Sequence, residues 1–339
     1  MDGHPDGVAE PRLDADQPLR VVAIGGGTGL AALLRALKRE AGRSQDPWKL
    51  TGIVTAADNG GSSGRIREEL GGIPPGDLRN CLAALTREES ILSDLLNYRF
   101  RGEGALAGHS LGNLMLWALA DLAGDWVRAI RQLSGVLVTV GQLYPSTSKP
   151  VTLWAEDMAG RRFEGETAVN QAHPPLARLW LEPKDVEPLP DSVLATLRAD
   201  LILLAPGSLY TSTIPNLLIP EIRDAITRSG APVIYVANLM TEPGESAGLD
   251  LEAHMASIQA FGKVSLSAVI ANTARLQLEV ARRYSEEGGE PILDPRDRIL
   301  GIPIHGHPLL DPEAPQARHH AGLLNRAIRE VIATFPAKG

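Results

Sequence analysis

The chain has 339 residues, 44% hydrophobic and 22% charged, a globular composition able to bury a large core. Its formal net charge of −8 excludes broad non-specific nucleic-acid binding, which needs a basic face. No apolar run approaches the ~20 residues that span a bilayer, and a single cysteine excludes an intramolecular disulfide.

That cysteine, Cys81, reads as a small buried hydrophobe. The N-terminus is polar and acidic and lacks a signal-peptide core, so a cytoplasmic protein is expected. Residues 1–18 read as a disordered tail and 19–335 as one α/β nucleotide-binding domain.

The domain opens on RVVAIGGGTGL, residues 20–30. Val21, Val22, Ala23 and Ile24 form a β-branched strand. Gly25, Gly26, Gly27, Thr28 and Gly29 then break it into a helix with Leu30, Leu33, Leu34 and Leu37 at helical spacing. Glycines let a ligand approach the backbone, and the free N–H groups of a helix's first turn favour an anion. Residues 50–58 predict a second strand. It runs into Asn59, Gly60, Gly61, Ser62, Ser63 and Gly64 and then a helix, a second phosphate-type loop. Asp77 is placed to cap a helix over LRNCLAALTRE. Helices over 90–98, 111–122 and 126–133 suggest a helical insertion, with His109 in the glycine-flanked turn before the second.

Residues 136–140 predict a strand, and 151–157 with 161–166 a β-hairpin. A strand over 176–183 and a helix capped by Asp191 come next. The opening pattern then recurs: a buried strand at 201–205, the turn Pro206, Gly207, Ser208, Leu209, Tyr210, Thr211, and an amphipathic helix over 214–229. Strands near 231–240, 266–272 and 299–304 alternate with helices over 251–261, 274–285 and 316–335. Strand–helix alternation implies a Rossmann-like α/β fold: a largely parallel sheet, helices on both faces, a helical insertion and a β-hairpin.

Neither loop is a complete motif alone. GGGTGL lacks the third glycine of G-x-G-x-x-G and the Lys-Ser/Thr of a P-loop. Asp58 comes too late to serve the ribose of a nicotinamide nucleotide. Two phosphate loops side by side point instead to a diphosphate or sugar nucleotide. Arg65, Arg67 and Arg79 lie beside them and can pair with phosphate. Asp58 and Asp77 could hold a magnesium ion. His305, His307, His319 and His320 lack the partners of a metal site.

GGGTGL, TAADNGGSSGRIREELGGIPPGDLRNCLAAL, GHSLGNLML, APGSLYTSTIPNLL and NLMTEPGES, in this order, resemble the YvcK/CofD-like family, over residues 20–335. That family includes the gluconeogenesis factors of bacteria and the related 2-phospho-L-lactate transferases. The resemblance is greater to the first branch, which implies UDP-sugar (UDP-N-acetylglucosamine) binding and a role in growth and cell shape under gluconeogenic conditions. It implies a ligand site of Gly25, Gly26, Gly27, Thr28, Gly29, Asp58, Asn59, Gly61, Ser62, Ser63, Arg65, Asp77, Arg79, Asn80, His109, Asn113, Gly207, Ser208, Tyr210, Thr211 and Asn238. No cofactor is then required. The expected partners are a nucleotide diphosphate and a second copy of the chain, with no nucleic acid and no membrane span. The alternative is a phospholactyl-type transferase with Mg2+ on Asp58 and Asp77. Many relatives carry two consecutive acids where this chain has Asp58 and Asn59, a departure that counts against the metal clamp.

Overall fold

The structure, a computed structural model, describes residues 13–14, 18–43, 47–88 and 91–338. Most of the expected 1–18 tail lies outside them; its residues Leu13–Asp14 pair in parallel with Ala337–Lys338.

The strand Arg20–Gly25 is buried along almost its whole length, as a continuous apolar run in a parallel sheet should be. It pairs with Lys49–Val54 on one side and Leu201–Leu204 on the other. Beyond these lie Gln142–Pro145 at one end, and Val233–Val236, Ala268–Asn272 and Ile302–His307 at the other. All of these run parallel; only the outermost strand, Arg298–Ile299, is antiparallel. Numbered along the chain, the parallel strands stand in the order 3-2-1-4-5-6-7. This is the Rossmann arrangement, and its crevice opens where the order reverses, between Arg20–Gly25 and Leu201–Leu204. The glycine loop and the turn after residue 204 therefore face each other across the ligand-binding edge of the sheet.

The helices Gly61–Leu70, Pro75–Leu85, Ile91–Asn97, Leu111–Ala123 and Trp126–Leu137 form the insertion between the second and third parallel strands. A separate three-stranded sheet, with Thr152–Asp157 between Arg162–Glu164 and Leu176–Glu182, is inserted before the fourth. Its strand Arg162–Glu164 runs straight into the short helix Gly165–Val169.

Several elements differ from expectation. The second strand stops at Val54, so Asp58 stands in the loop beyond it. Residues 136–140 are not a strand: the helix runs to Leu137, Val138 turns left-handed, Thr139 makes an isolated bridge to Thr86, and the strand begins at Gln142. Val136 and Val138 are exposed, so burial does not reward their β propensity, and the buried Val140 lies beyond the left-handed turn. Pro220 splits the 214–229 helix into Ile214–Leu217 and Pro220–Ser229, since proline cannot donate to the preceding turn. Asp191 lies inside the first turn of Pro190–Leu197 and does not cap it.

Glycine is required where the two loops meet. A Cβ on Gly29 would overlap the carbonyl oxygen of Pro206, whereas one on Gly135, in the last turn of Trp126–Leu137, would meet nothing within 4 Å. Gly29→Ala should cost about 1–3 kcal/mol of overpacking. Gly135→Ala should add about 0.5–1 kcal/mol by restricting the unfolded chain. Calorimetry should place the two melting midpoints on opposite sides of the wild type; a neutral Gly29→Ala would mean the loops are not in contact.

Candidate functional site

The first loop turns into its helix through Gly26, in extended conformation, and Gly27, whose φ of +59° favours glycine. The N–H of Gly27 donates to Oδ2 of Asp77 at 2.6 Å. Asp77 does not cap its own helix as expected. That helix begins two residues earlier, at Pro75, and the Asp77 carboxyl in its first turn crosses to the glycine loop. A protein carboxyl thus occupies the positive end of helix Gly27–Ala41. Burial, and next the charge of Asp58, push the Asp77 carboxyl up to about 7, against the opposing pull of the Gly27 N–H and of Arg79.

In the second loop, Asp58 Oδ1 accepts from the N–H of Gly60 at 2.8 Å. The Asp58 carboxyl faces that of Glu166, from the helix Gly165–Val169 of the inserted sheet. Glu166 Oε2 accepts from the N–H of Asn59 at 3.0 Å, and Asn59 Oδ1 accepts from that of Thr167 at 3.2 Å. Burial, then the hydrogen bond and charge of Asp58, push Glu166 up to about 9, so it holds a proton at neutral pH. Glu166 follows a hairpin strand, and nothing in its local sequence marks it for this loop.

Beneath the loop runs a buried polar chain. Ser62 Oγ shares a hydrogen bond with His109 Nδ1 at 3.1 Å and accepts from Asn113 Nδ2 at 3.2 Å. Arg79 donates from Nε to Asn113 Oδ1 at 3.3 Å and from its guanidinium to Asn97 Oδ1 at 2.7 Å. Burial, then neighbouring Arg65, lower the His109 pKa and keep its ring neutral. Arg79 is buried among the inserted helices, with its pKa lowered chiefly by desolvation. Ser63 is buried against Gly76. Gly61 opens to solvent, and Arg65 donates to Ala107 O at 3.0 Å. Arg67 turns away and donates to Val151 O at 2.6 Å.

The third loop is clamped from one side by Asn238, which accepts from Gly207 N–H and donates to Gly207 O, both at 2.8 Å. Ser208 Oγ donates to Glu242 at 2.8 Å. The amides of Tyr210 and Thr211 donate to one oxygen of Glu245, at 2.7 and 2.8 Å. The ring of Tyr210 is buried edge-on against Phe261, and its hydroxyl meets Ser257. Oε2 of Glu245 is buried without a partner atom, and the carboxyl faces that of Glu242. Burial first, and Glu242 second, push Glu245 up to about 8, so this pair too holds a proton. The turn at 241–245 is visible in the sequence; the role of Glu245 is not.

A cleft of about 630 Å³ opens at the crevice. Of the expected residues it is lined by Thr28, Gly29, Asn80, Gly207 and Asn238. Gly25, Gly26, Gly27 and Asp77 lie at the buried root of the first loop. Asp58, Asn59, Gly61, Ser62, Ser63, Arg65, Arg79, His109 and Asn113 belong to the neighbouring second-loop cluster, tied to the first through Asp77. The opposite wall was not foreseen: Leu239, Met240, Tyr284, Arg318 and His319 line it. Tyr284 is fixed there by its hydroxyl, which accepts from the Ala317 N–H at 3.2 Å. His319 touches Ala237 O at 3.2 Å, and burial pushes it down to about 4. His320 caps the last helix through Leu323 N–H, and His307 faces Glu330 at 3.5 Å.

Residues 21–309 match the family model described as 2-phospho-L-lactate transferase CofD. The chain belongs to the CofD family. Within that family it is 39% identical over 277 residues to the gluconeogenesis factor of Bacillus subtilis, covering 81% of this chain and 86% of that one. A Nostoc sp. relative is 45% identical over 282 residues, covering 83% of this chain; the aligned part spans only 60% of the Nostoc protein. The crystal structure of a UPF0052-family protein from Bacillus halodurans superposes with a TM-score of 0.85 at 36% identity, covering 92% of this chain and 99% of that one. The Rossmann-like fold of this CofD-family chain is therefore shared with a solved relative.

The carboxyl pair at the third loop makes stability depend on pH in a definite direction. Glu245 is raised to about 8 in the folded chain, above its unfolded value near 4.3. Its contribution is complete below the unfolded value and is lost as the pH rises through about 8. Glu245→Gln keeps an oxygen for the two amides and gains N–H groups toward Glu242. Its melting midpoint should match the wild type near pH 5 and exceed it by several degrees at pH 8.5. Parallel pH profiles for the two proteins would show that Glu245 ionises normally.

Proposed function

We propose that this CofD-family chain is a cytoplasmic gluconeogenesis factor that binds a UDP-sugar, UDP-N-acetylglucosamine first, and couples carbon supply to cell-wall precursor flux and cell shape. The observation that carries this reading is the cleft at the strand-order reversal. Its volume, about 630 Å³, falls in the range of small-molecule sites. Its floor offers the first turn of a helix at Thr28 and Gly29, where backbone dipoles favour a diphosphate. The opposite wall offers Tyr284, Leu239 and Met240, a surface on which a base can lie, with the Arg318 guanidinium beside it. The name of the Bacillus subtilis relative supports the gluconeogenic role.

A second reading, metal-assisted group transfer, is favoured by one observation: Asp58, Asp77 and Glu166 approach one another closely enough to shift pKa values. Hard oxygen donors suit magnesium. Among the described residues no three such side chains are disposed to hold an ion by themselves. Asp58 and Asp77 would hold it together with ligand phosphate oxygens, and it would supply charge neutralisation at the phosphoryl group.

Thermal shift separates the readings. A ligand at a hundredfold excess over Kd stabilises the fold by about 2.7 kcal/mol. At roughly 2 °C per kcal/mol for a chain of this size, UDP-N-acetylglucosamine should raise the midpoint by several degrees. GDP and NAD should raise it less, and EDTA should leave most of the shift. No shift with the UDP-sugar overturns the first reading. A shift abolished by EDTA and restored by magnesium, with slow turnover of the nucleotide, puts the transferase in its place.

A further inference from the structure

His319 lines the cleft together with the apolar wall of Leu239, Met240 and Tyr284. Its place is set from two sides. The backbone on either side of it pairs with a neighbouring segment: Asp311 N–H donates to Arg318 O at 2.9 Å, and His320 N–H to Leu309 O at 2.8 Å. The ring reaches inward to the carbonyl of Ala237, a buried residue that follows the strand Val233–Val236. Ala317, whose N–H fixes the Tyr284 hydroxyl, stands two positions before His319. One short segment therefore positions both the histidine ring and the aromatic part of the wall.

A carbonyl oxygen can only accept. The bond between Nε2 and Ala237 O at 3.2 Å therefore puts the ring proton on Nε2. Burial keeps the ring neutral, so Nδ1 is left with a bare lone pair. No described residue donates to that nitrogen. Nor is it sealed in the core: among the described residues, the buried side-chain nitrogens and oxygens without a partner are Asn216 Oδ1, Glu245 Oε2 and His254 Nε2. An unpartnered Nδ1 outside that set is accessible, and the open space at this residue is the cleft. The wall thus offers one uncharged acceptor, with its tautomer fixed, at the margin of an apolar surface.

We infer that His319 reads the base of the bound nucleotide: its Nδ1 accepts the N3–H of a uracil laid against Leu239, Met240 and Tyr284. The inference rests on the nucleotide-sugar reading and adds to it the residue that selects the base. A base is commonly recognised by hydrogen bonds to its Watson–Crick edge while its face lies on aromatic or apolar side chains. Uracil carries a donor in the middle of that edge. Cytosine carries a lone pair at the same ring position, which would face the lone pair of Nδ1. An acceptor left unpaired by the wrong ligand penalises that ligand. Guanine also has a ring N–H on this edge, so His319 separates uracil from cytosine and not from guanine.

Isothermal titration with UDP-N-acetylglucosamine and CDP-N-acetylglucosamine tests this, because the two share sugar and diphosphate and differ only in the base. The wild type should bind the uridine ligand about tenfold more tightly. His319→Phe keeps a flat ring without either nitrogen and should bind the two alike. That variant also strips Ala237 O of its donor, so a second measurement uses the unaltered protein. Nitrogen NMR of the histidine rings should show His319 protonated at Nε2 and bare at Nδ1. At equal occupancy the Nδ1 signal should move far more with the uridine ligand than with the cytidine ligand. Equal binding by the wild type, a preference that survives in His319→Phe, or an Nδ1 signal indifferent to the base overturns the role of His319 while the nucleotide reading stands. Failure of both ligands to bind overturns the nucleotide reading and the role of His319 with it.

Discussion

The site depends on a contact of backbone with backbone. The loops after the first and fourth parallel strands touch with no side chain between them. A Cβ on Gly25 would lie 2.8 Å from that of Ala205, and one on Gly26 would lie 2.7 Å from the Thr55 methyl and 2.8 Å from Asp77 Oδ2. Asn216 Nδ2 ties the far side by donating to Gly25 O at 3.1 Å. Neighbouring strands whose chains depart in opposite directions open a crevice at this seam. Glycine lets the seam close at its root and stay open above, where Thr28, Gly29 and Gly207 line the cleft. The sheet, the insertions and the last helix determine where the walls stand; the glycines determine that two loops share one site.

A second regularity is electrostatic. Each of the three loops presents amide N–H groups, and each has one or more of them held by a carboxyl of the protein itself. Asp77 holds Gly27, Glu166 holds Asn59, and Glu245 holds Tyr210 and Thr211. All three acids are raised above the usual carboxylate range, first by burial and then by a neighbouring acid. Orphan amides are costly when buried, so an acid from elsewhere in the chain satisfies them at the expense of its own ionisation. These loops are therefore not open nests awaiting phosphate at every N–H. The anion-binding capacity that remains lies higher in the first helical turn, on the side facing the cleft.

Much of this was legible in the sequence, and the limits have physical causes. The strands Arg20–Gly25 and Leu201–Leu204 stand out because both faces are buried, which makes them unbroken apolar runs ended by glycine or proline turns. The strand expected at 136–140 failed because the helix Trp126–Leu137 runs on into it and Val136 and Val138 are exposed, and propensity without burial does not make a strand. The partner of Asp77 lies 50 residues away and that of Glu166 lies 107 away, separations over which no local pattern speaks. Tyr210 resembles a site residue by its motif, yet its ring belongs to the core against Phe261. The far wall at Tyr284 and Arg318 lies in segments whose sequence reads as ordinary helices, 274–285 and 316–335, the second of which begins only at Ala321. Only folding brings them opposite Thr28.

With Asp58 followed by Asn59, the second loop lacks one carboxylate that a metal clamp could use. The side chain of Asn59, however, faces the turn at Gly165, where φ is +80° and a Cβ would overlap its amide nitrogen, and it accepts from Thr167. An aspartate there could still accept that bond. It would also add a fourth carboxyl beside Asp58, Asp77 and Glu166, where burial and Asp58 already keep Glu166 protonated. The inserted sheet thus brings a third carboxyl, Glu166, to this loop, although among the described residues no three such side chains are disposed to hold an ion. Burial and the neighbouring Asp58 push that carboxyl up to about 9, so the loop gains its extra oxygens in neutral form.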